Sequence, residues 1–230
     1  MLIGGVQPLT LLDYPGKVAM TIFTKGCGFR CRFCYNPELV IPEQYAKSIS
    51  ENDIWDLIKA RQHLIDAVCL TGGEPTLQKD LLNFIKKLKA RGLLVKLDTN
   101  GTNPDAIEQL LTEKMVDYFA MDIKAPWKKY AQVVGNAVDM AKVKKSAIII
   151  LNSGVEHEFR ATVLAALHCS NDIVEMARQV KGANKFFIQR FKRVDKIIDP
   201  TLLNTPRLTL KELNDIKTQI KGWFKICGIR

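Results

Sequence analysis

Histidine is scarce in this chain, three in 230 residues, and none stands at a metal-ligand spacing such as His-Glu-x2-His. His63, His157 and His168 are therefore expected in surface or helix-end roles. Acidic residues are outnumbered, 24 Asp and Glu against 34 Lys and Arg, for a formal net charge of +10. No apolar run approaches the ~20 residues needed to cross a bilayer. No basic stretch followed by an apolar one opens the chain, so no signal peptide is expected and the protein is placed in the cytoplasm, off the membrane. Low-complexity linkers and short repeats are missing too, and no Gly-Lys-Ser/Thr follows the Gly72-Gly73 pair, which argues against a P-loop. The absence that matters most is a fourth cysteine beside the other three.

Those three stand in Cys27-Gly28-Phe29-Arg30-Cys31-Arg32-Phe33-Cys34, with Cys-x3-Cys-x2-Cys spacing and an aromatic before the last. The spacing puts three thiolates on one short loop. Structural zinc and ordinary electron-carrying clusters take four protein ligands. A [4Fe–4S] cluster held by three leaves one iron open to a substrate or cofactor. The six cysteines are not spread as a disulfide framework, and a clustered triplet in an unexported chain favours a metal site. Cys69, between Val68 and Leu70, reads as a small core residue. Cys169 and Cys227 are isolated, so no auxiliary cluster is expected after Cys34. A zinc or electron-transfer site on a binding protein is the alternative from another class, and the missing ligand counts against it.

At 230 residues the chain fills one domain with a sizeable core and has little room for a second. An apolar fraction of 47% and a charged fraction of 25% are ordinary for a soluble globular protein. Short apolar runs alternate with helical patterns. Strands are expected at Val18–Thr24, Ala67–Thr71, Leu93–Asp98, Asp117–Ile123, Glu158–Leu164 and Lys185–Phe191. Helices are expected at Asp53–His63 behind a Ser50–Asp53 capping box, and over Leu81–Leu88 with Gly92 as the stop. Others follow at Pro104–Lys114, Val138–Leu151, Asp172–Lys181 and Leu210–Trp223. Six β/α repeats imply an α/β fold with a parallel sheet and right-handed crossovers, curved and helix-covered, over residues 18–230. Residues 1–17, with a turn at Asp13-Tyr14-Pro15-Gly16, form an N-terminal hairpin or arm.

Lys and Arg are dense at Lys124–Lys129, Lys142–Lys145 and Lys185–Lys196. A solvated helical face accounts for most such density. The sharper reading is an electropositive mouth for an anionic cofactor or acidic partner. Basic and aromatic residues do not interleave as on single-strand platforms, so nucleic acid is not expected.

In a β/α barrel, reactive groups collect at the C-terminal ends of the strands. There the first strand runs into the cysteine loop and the second ends in Thr71-Gly72-Gly73-Glu74-Pro75. The third ends in Asp98-Thr99-Asn100-Gly101, the fourth in Asp122-Ile123-Lys124, and the sixth carries Gln189 and Arg190. Each has a local explanation as a turn or surface ion pair. Their meeting at one rim is harder to dismiss. A glycine-lined approach with Glu74 suits an ammonium group, Asp98 and Asp122 suit ribose hydroxyls, and Lys124 suits a carboxylate. Together these describe S-adenosylmethionine.

These motifs resemble the radical S-adenosylmethionine superfamily over nearly the whole chain. Within it, Gly4-Gly5-Val6-Gln7, Asp13-Tyr14-Pro15-Gly16-Lys17 and Cys34-Tyr35-Asn36-Pro37-Glu38-Leu39 are similar to anaerobic ribonucleoside-triphosphate reductase activating proteins. Asp98-Thr99-Asn100-Gly101 and Asp122-Ile123-Lys124 resemble segments of the pyruvate formate-lyase activating enzyme. The resemblance implies a partial (β/α)6 TIM-like barrel, with a [4Fe–4S] cluster on Cys27, Cys31 and Cys34. Phe33, Gly72, Gly73, Glu74, Asp98, Thr99, Asp122 and Lys124 would surround S-adenosylmethionine. It implies a radical-generating activase whose substrate is a glycyl radical enzyme and whose electron donor is a flavodoxin or ferredoxin. A small-molecule substrate, as in 7-carboxy-7-deazaguanine synthase-like enzymes, is the alternative. The activator's histidine near the end of the sixth strand has no counterpart in Phe187-Ile188-Gln189-Arg190-Phe191.

Overall fold

The β-rich runs become strands of one sheet. The computed structural model describes residues 1–230. β1 (Ile3–Thr10) pairs antiparallel with β2 (Ala19–Thr24), so the expected N-terminal hairpin is present as a full strand of the sheet. β3 (Ala67–Gly72), β4 (Leu94–Thr99), β5 (Tyr118–Asp122), β6 (Glu156–Val163) and β7 (Lys185–Arg190) follow in parallel, each beside the last. The six strands expected from the sequence are all there, with ends moved by no more than two residues.

A further parallel strand, β8 (Ile226–Ile229), pairs with β7 and was not expected. It is four residues long, contains Gly228 and leaves Ile226 49% exposed, so its sequence carries almost no burial pattern. Seven parallel strands replace the anticipated six.

Helical structure fills every crossover. α1 (Pro37–Val40) and α2 (Glu51–Arg61) precede β3, α3 (Leu81–Lys89) precedes β4 and α4 (Pro104–Thr112) precedes β5. α5 (Tyr130–Val134) and α6 (Met140–Leu151) lead to β6, α7 (Ser170–Arg178) to β7 and α8 (Leu210–Ile220) to β8. Local chemistry sets the ends. Ser50 and Asp53 cap α2 reciprocally, so that helix starts two residues earlier than expected. Gly92, at φ 75°, takes the left-handed turn that stops α3. The end of the expected last helix tightens into a 3-10 turn at Lys221–Trp223.

The apolar core lies between the sheet and its helices, where Phe84, Phe119, Phe159 and Phe186 are almost fully buried. The concave side is different. Residues from β3 and β7, far apart in strand order, line one cavity with Asp13 of the β1–β2 loop, so the sheet curls as a barrel does. Charge fills its interior. Buried Glu158 accepts from the Tyr118 hydroxyl at 3.0 Å and from Arg230 Nη1 and Nη2 at 3.1 and 3.2 Å. Buried polar groups are tolerated when paired in this way.

Candidate cofactor site

The cysteine loop leaves β2 at the C-terminal rim and is held from behind by α5. Arg30 N–H donates to the Val134 carbonyl at 2.8 Å, and Arg32 N–H to Val133 at 3.4 Å. Gly135 permits this approach, because a Cβ there would lie 2.4 Å from the Arg30 oxygen. Arg32 also pairs with Asp199 at 2.7 Å, tying the loop to the segment after β7. Cys27, Cys31 and Cys34 line one cavity of about 420 Å³, with Phe29, Phe33 and Tyr35 as its apolar wall. Burial pushes the Cys27 thiol up to about 11 and Cys31 up to about 12, and raises Cys34 as well. Protons therefore leave these thiols only in exchange for a strongly positive centre. No three His, Cys, Asp or Glu side chains converge as ligands of a single metal ion. A four-iron cube offers each thiolate its own corner, so ligands spread round a cavity wall fit it better than they fit one tetrahedral zinc.

Gly72, the last residue of β3, and Gly73 just after it line the same cavity. A Cβ on Gly72 would lie 2.4 Å from Thr24 N, and one on Gly73 2.1 Å from the Gly26 oxygen. Only glycine lets the strand end lie flush against the start of the cysteine loop. Glu74 departs from expectation. Its side chain is fully buried, with Oε1 accepting from Thr76 N at 3.1 Å, Thr76 Oγ1 at 2.6 Å and Thr99 Oγ1 at 2.8 Å, while Oε2 accepts from Asn100 N at 2.6 Å. Burial raises its pKa, and these donors pull the other way. Glu74 therefore does not reach the cavity as an ammonium partner; it stitches the end of β3 to the end of β4. Thr99 and Asn100 do line the cavity, and Asn100 Nδ2 lies 3.5 Å from Cys27 Sγ.

The expected ribose and carboxylate partners stand in a ladder of alternating charge. Lys96 pairs with Asp98 Oδ1, and Asp98 Oδ2 accepts from Arg160 Nη1 at 3.1 Å. Arg160 Nε reaches Asp122 Oδ1 at 2.9 Å, and Asp122 Oδ2 accepts from Lys124 Nζ at 3.0 Å. Burial alone would raise both carboxyls, but Arg160, with Lys96 on one side and Lys124 on the other, holds them below the usual carboxylate range. Burial would likewise lower Lys124, and Asp122 outweighs it. Both carboxylates line the cavity and keep partial exposure, 15% for Asp98 and 24% for Asp122, so free lone pairs remain for a ligand. Arg160, on β6, was not anticipated. Glu158, Arg160 and Thr162 are polar at every second position of a buried strand, which is the signal that marks it.

His168 is not a surface residue. It is 1% exposed, accepts from Leu164 N at Nδ1 (3.3 Å), and so donates from Nε2 to the Lys124 carbonyl (2.9 Å). Burial holds it neutral, edge-on to Phe33 with ring centroids 6.5 Å apart. His157 is also buried, 3% exposed between Val155 and Asn184. Of the two residues that end β7, Gln189 faces the cavity and Arg190 turns outward. Asp13 lines the floor, accepting from Thr21 Oγ1 at 2.6 Å. Cys69 is buried inside the sheet, as expected.

Residues 21–180 match the radical SAM superfamily, and the chain belongs to it. A protein of Methanocaldococcus jannaschii with the provisional name glycyl-radical enzyme activating enzyme is 34% identical over 236 residues, all of this chain and 95% of the relative. The pyruvate formate-lyase-activating enzyme of Listeria monocytogenes is 30% identical over 134 residues, 52% of this chain and 51% of the relative. Among solved structures, Streptococcus suis SuiB bound to S-adenosylmethionine superposes with TM-score 0.69 at 16% identity, over 90% of this chain and 48% of SuiB. This chain thus spans about half of SuiB. QueE from Escherichia coli gives 0.58 at 15% identity, over 98% of this chain and 92% of QueE. These two likenesses show the shared partial-barrel fold. The protein is a radical SAM enzyme, and membership implies an iron–sulfur cluster and S-adenosylmethionine, which the cavity's donor set fits.

Proposed function

We propose that Cys27, Cys31 and Cys34 hold a [4Fe–4S] cluster with one open iron, that S-adenosylmethionine lies beside it in the cavity, and that the chain is an activase. Its substrate is a glycine of a partner glycyl radical enzyme, anaerobic ribonucleotide reductase. One observation carries the reading: the three thiols and the charged ladder from β4, β5 and β6 line the same cavity. Full-length similarity to the Methanocaldococcus relative supports the activase assignment.

When bound and reduced, the cluster supplies one electron that breaks the sulfonium–C5′ bond, giving methionine and a radical that removes hydrogen from the substrate. The protein's own share is binding, orientation and exclusion of water. Lys124 takes the methionine carboxylate. Asp98 and Asp122 accept from the ribose hydroxyls through the lone pairs that Arg160 leaves free. Gly72 and Gly73 admit the ammonium end closely, while Glu74 and Thr99 brace them. Phe33 walls the cavity against water. The mouth is left for the partner's glycine loop to close.

Incubation of reduced protein and S-adenosylmethionine with candidate glycyl radical enzymes tests this. The expected result is a carbon-centred doublet in the electron paramagnetic resonance spectrum, with cleavage of the partner at one glycine on exposure to oxygen. No radical on any candidate, with a small metabolite stimulating 5′-deoxyadenosine release, contradicts it in favour of a small-molecule substrate.

A further inference from the structure

The electron for this chemistry has to arrive from outside. Beyond the cavity, Cys69 is enclosed by the sheet and Cys169 and Cys227 stand apart, so the chain has no cysteine set for a second cluster. The molecule does have a marked approach to the back of the cysteine loop. Phe29, 3% exposed, forms part of the cavity wall. Tyr130 on α5, fully buried, stands edge-on to it with ring centroids 6.1 Å apart. Trp127 lies 5.6 Å beyond Tyr130 and opens onto the outer surface. Three packed rings thus bridge the cavity and solvent.

Trp127 lines an open groove of about 660 Å³ on the outside of the barrel, together with Lys128, Lys129, Lys144, Arg178 and Asp172. Two of its four cations are occupied, Lys129 with Asp172 at 2.8 Å and Arg178 with Glu175 at 2.6 Å. Lys128 and Lys144 are exposed and make no ion pair. The groove is therefore positive on balance, with an aromatic base connected to the cysteine loop. It is separate from the mouth that the ladder and the glycine pair line.

From this geometry we infer that the Trp127–Lys144 groove is the docking surface for an acidic one-electron carrier protein. This rests on the proposed cluster site. The carrier gives one electron through the Trp127–Tyr130–Phe29 contact to the cluster and departs oxidised; the rings serve as a packed medium and undergo no net change. Entry from behind leaves the mouth free, so reductant and protein substrate need not compete. Opposite charge steers the encounter, and salt weakens it.

The test compares 5′-deoxyadenosine formation driven by dithionite, reduced flavodoxin and reduced ferredoxin in the reconstituted protein. The double variant Lys128→Glu/Lys144→Glu is expected to lower the carrier-driven rate about tenfold at low salt, a gap that closes as salt rises. Its dithionite-driven rate stays at the wild-type level, because a small reductant needs no docking surface. A control reversal outside the groove, Lys59→Glu/Lys79→Glu, changes neither. An unchanged carrier-driven rate in the groove variant overturns the inference. So does an equal loss in the control pair, or a matching loss with dithionite. Wild-type protein inactive with dithionite fails the cofactor reading itself, whereas activity with dithionite alone refutes a carrier at this face.

Discussion

Two corners of the cavity were anticipated from carboxylates at strand ends, and they have opposite physics. At the end of β3, Glu74 is fully buried and both oxygens are taken by Thr76, Thr99 and Asn100. At the ends of β4 and β5, Asp98 and Asp122 are held by cations and keep an exposed edge. The first corner is saturated and can only position. The second has lone pairs left and can bind. The same residue type in the same kind of motif thus does different work, according to who donates to it. A carboxylate beside a glycine pair is not by that fact a ligand contact.

The largest effects should come from the loop both corners face. Cys27→Ala, Cys31→Ala and Cys34→Ala should each reduce bound iron from about four per chain to near none, measured after anaerobic reconstitution. Cys69→Ala, Cys169→Ala and Cys227→Ala should keep it. Next is the saturated corner. Glu74→Ala strands several buried donors and should cost about 3–5 kcal/mol of stability in denaturant unfolding. If Glu74→Ala left stability unchanged but weakened cofactor binding, the two corners would be alike after all.

The binding corner should respond in affinity before stability. Arg160→Met and Lys124→Ala should each weaken S-adenosylmethionine about ten- to a hundredfold, the loss of one charge-assisted contact or of its positioning, read by equilibrium binding. The pH dependence follows from the lowered pKa values of Asp98 and Asp122. Their stabilisation by Arg160 is complete above the unfolded carboxylate value of about 4 and is lost as pH falls through the folded values. The stability gap between wild type and Arg160→Met should therefore be full at neutral pH and narrow in acid. A gap that widened in acid would contradict the ladder. The smallest effect belongs to Asn100→Ala, which should keep the cluster and lower its reduction potential by removing a donor near the Cys27 sulfur.

Much of this was legible without coordinates. The cysteine loop, the glycine pair and the acidic strand ends are short-range patterns, and six strands followed from apolar runs bounded by turns. What was missed has a physical reason in each case. Arg160 looks like an ordinary strand residue until β4 and β5 bring two carboxylates to it from 62 and 38 residues away. His168 has no ligand spacing, and only the packing of the β6–α7 loop shows that it buttresses Lys124 and Phe33. β8 is a short outer strand, so neither burial nor alternation announces it. Glu74 was the right residue with the wrong partner, because sequence reports which groups are present and not which way they point.

The central claim is that the triplet and the charged ladder form one reactive site. Quantifying 5′-deoxyadenosine from dithionite-reduced, iron-loaded protein with S-adenosylmethionine tests it most directly. The account predicts slow release by the wild type, none by Cys31→Ala, and release by Lys124→Ala that recovers only at raised S-adenosylmethionine concentration. Release by Cys31→Ala at the wild-type rate, or an unchanged concentration dependence in Lys124→Ala, would contradict it.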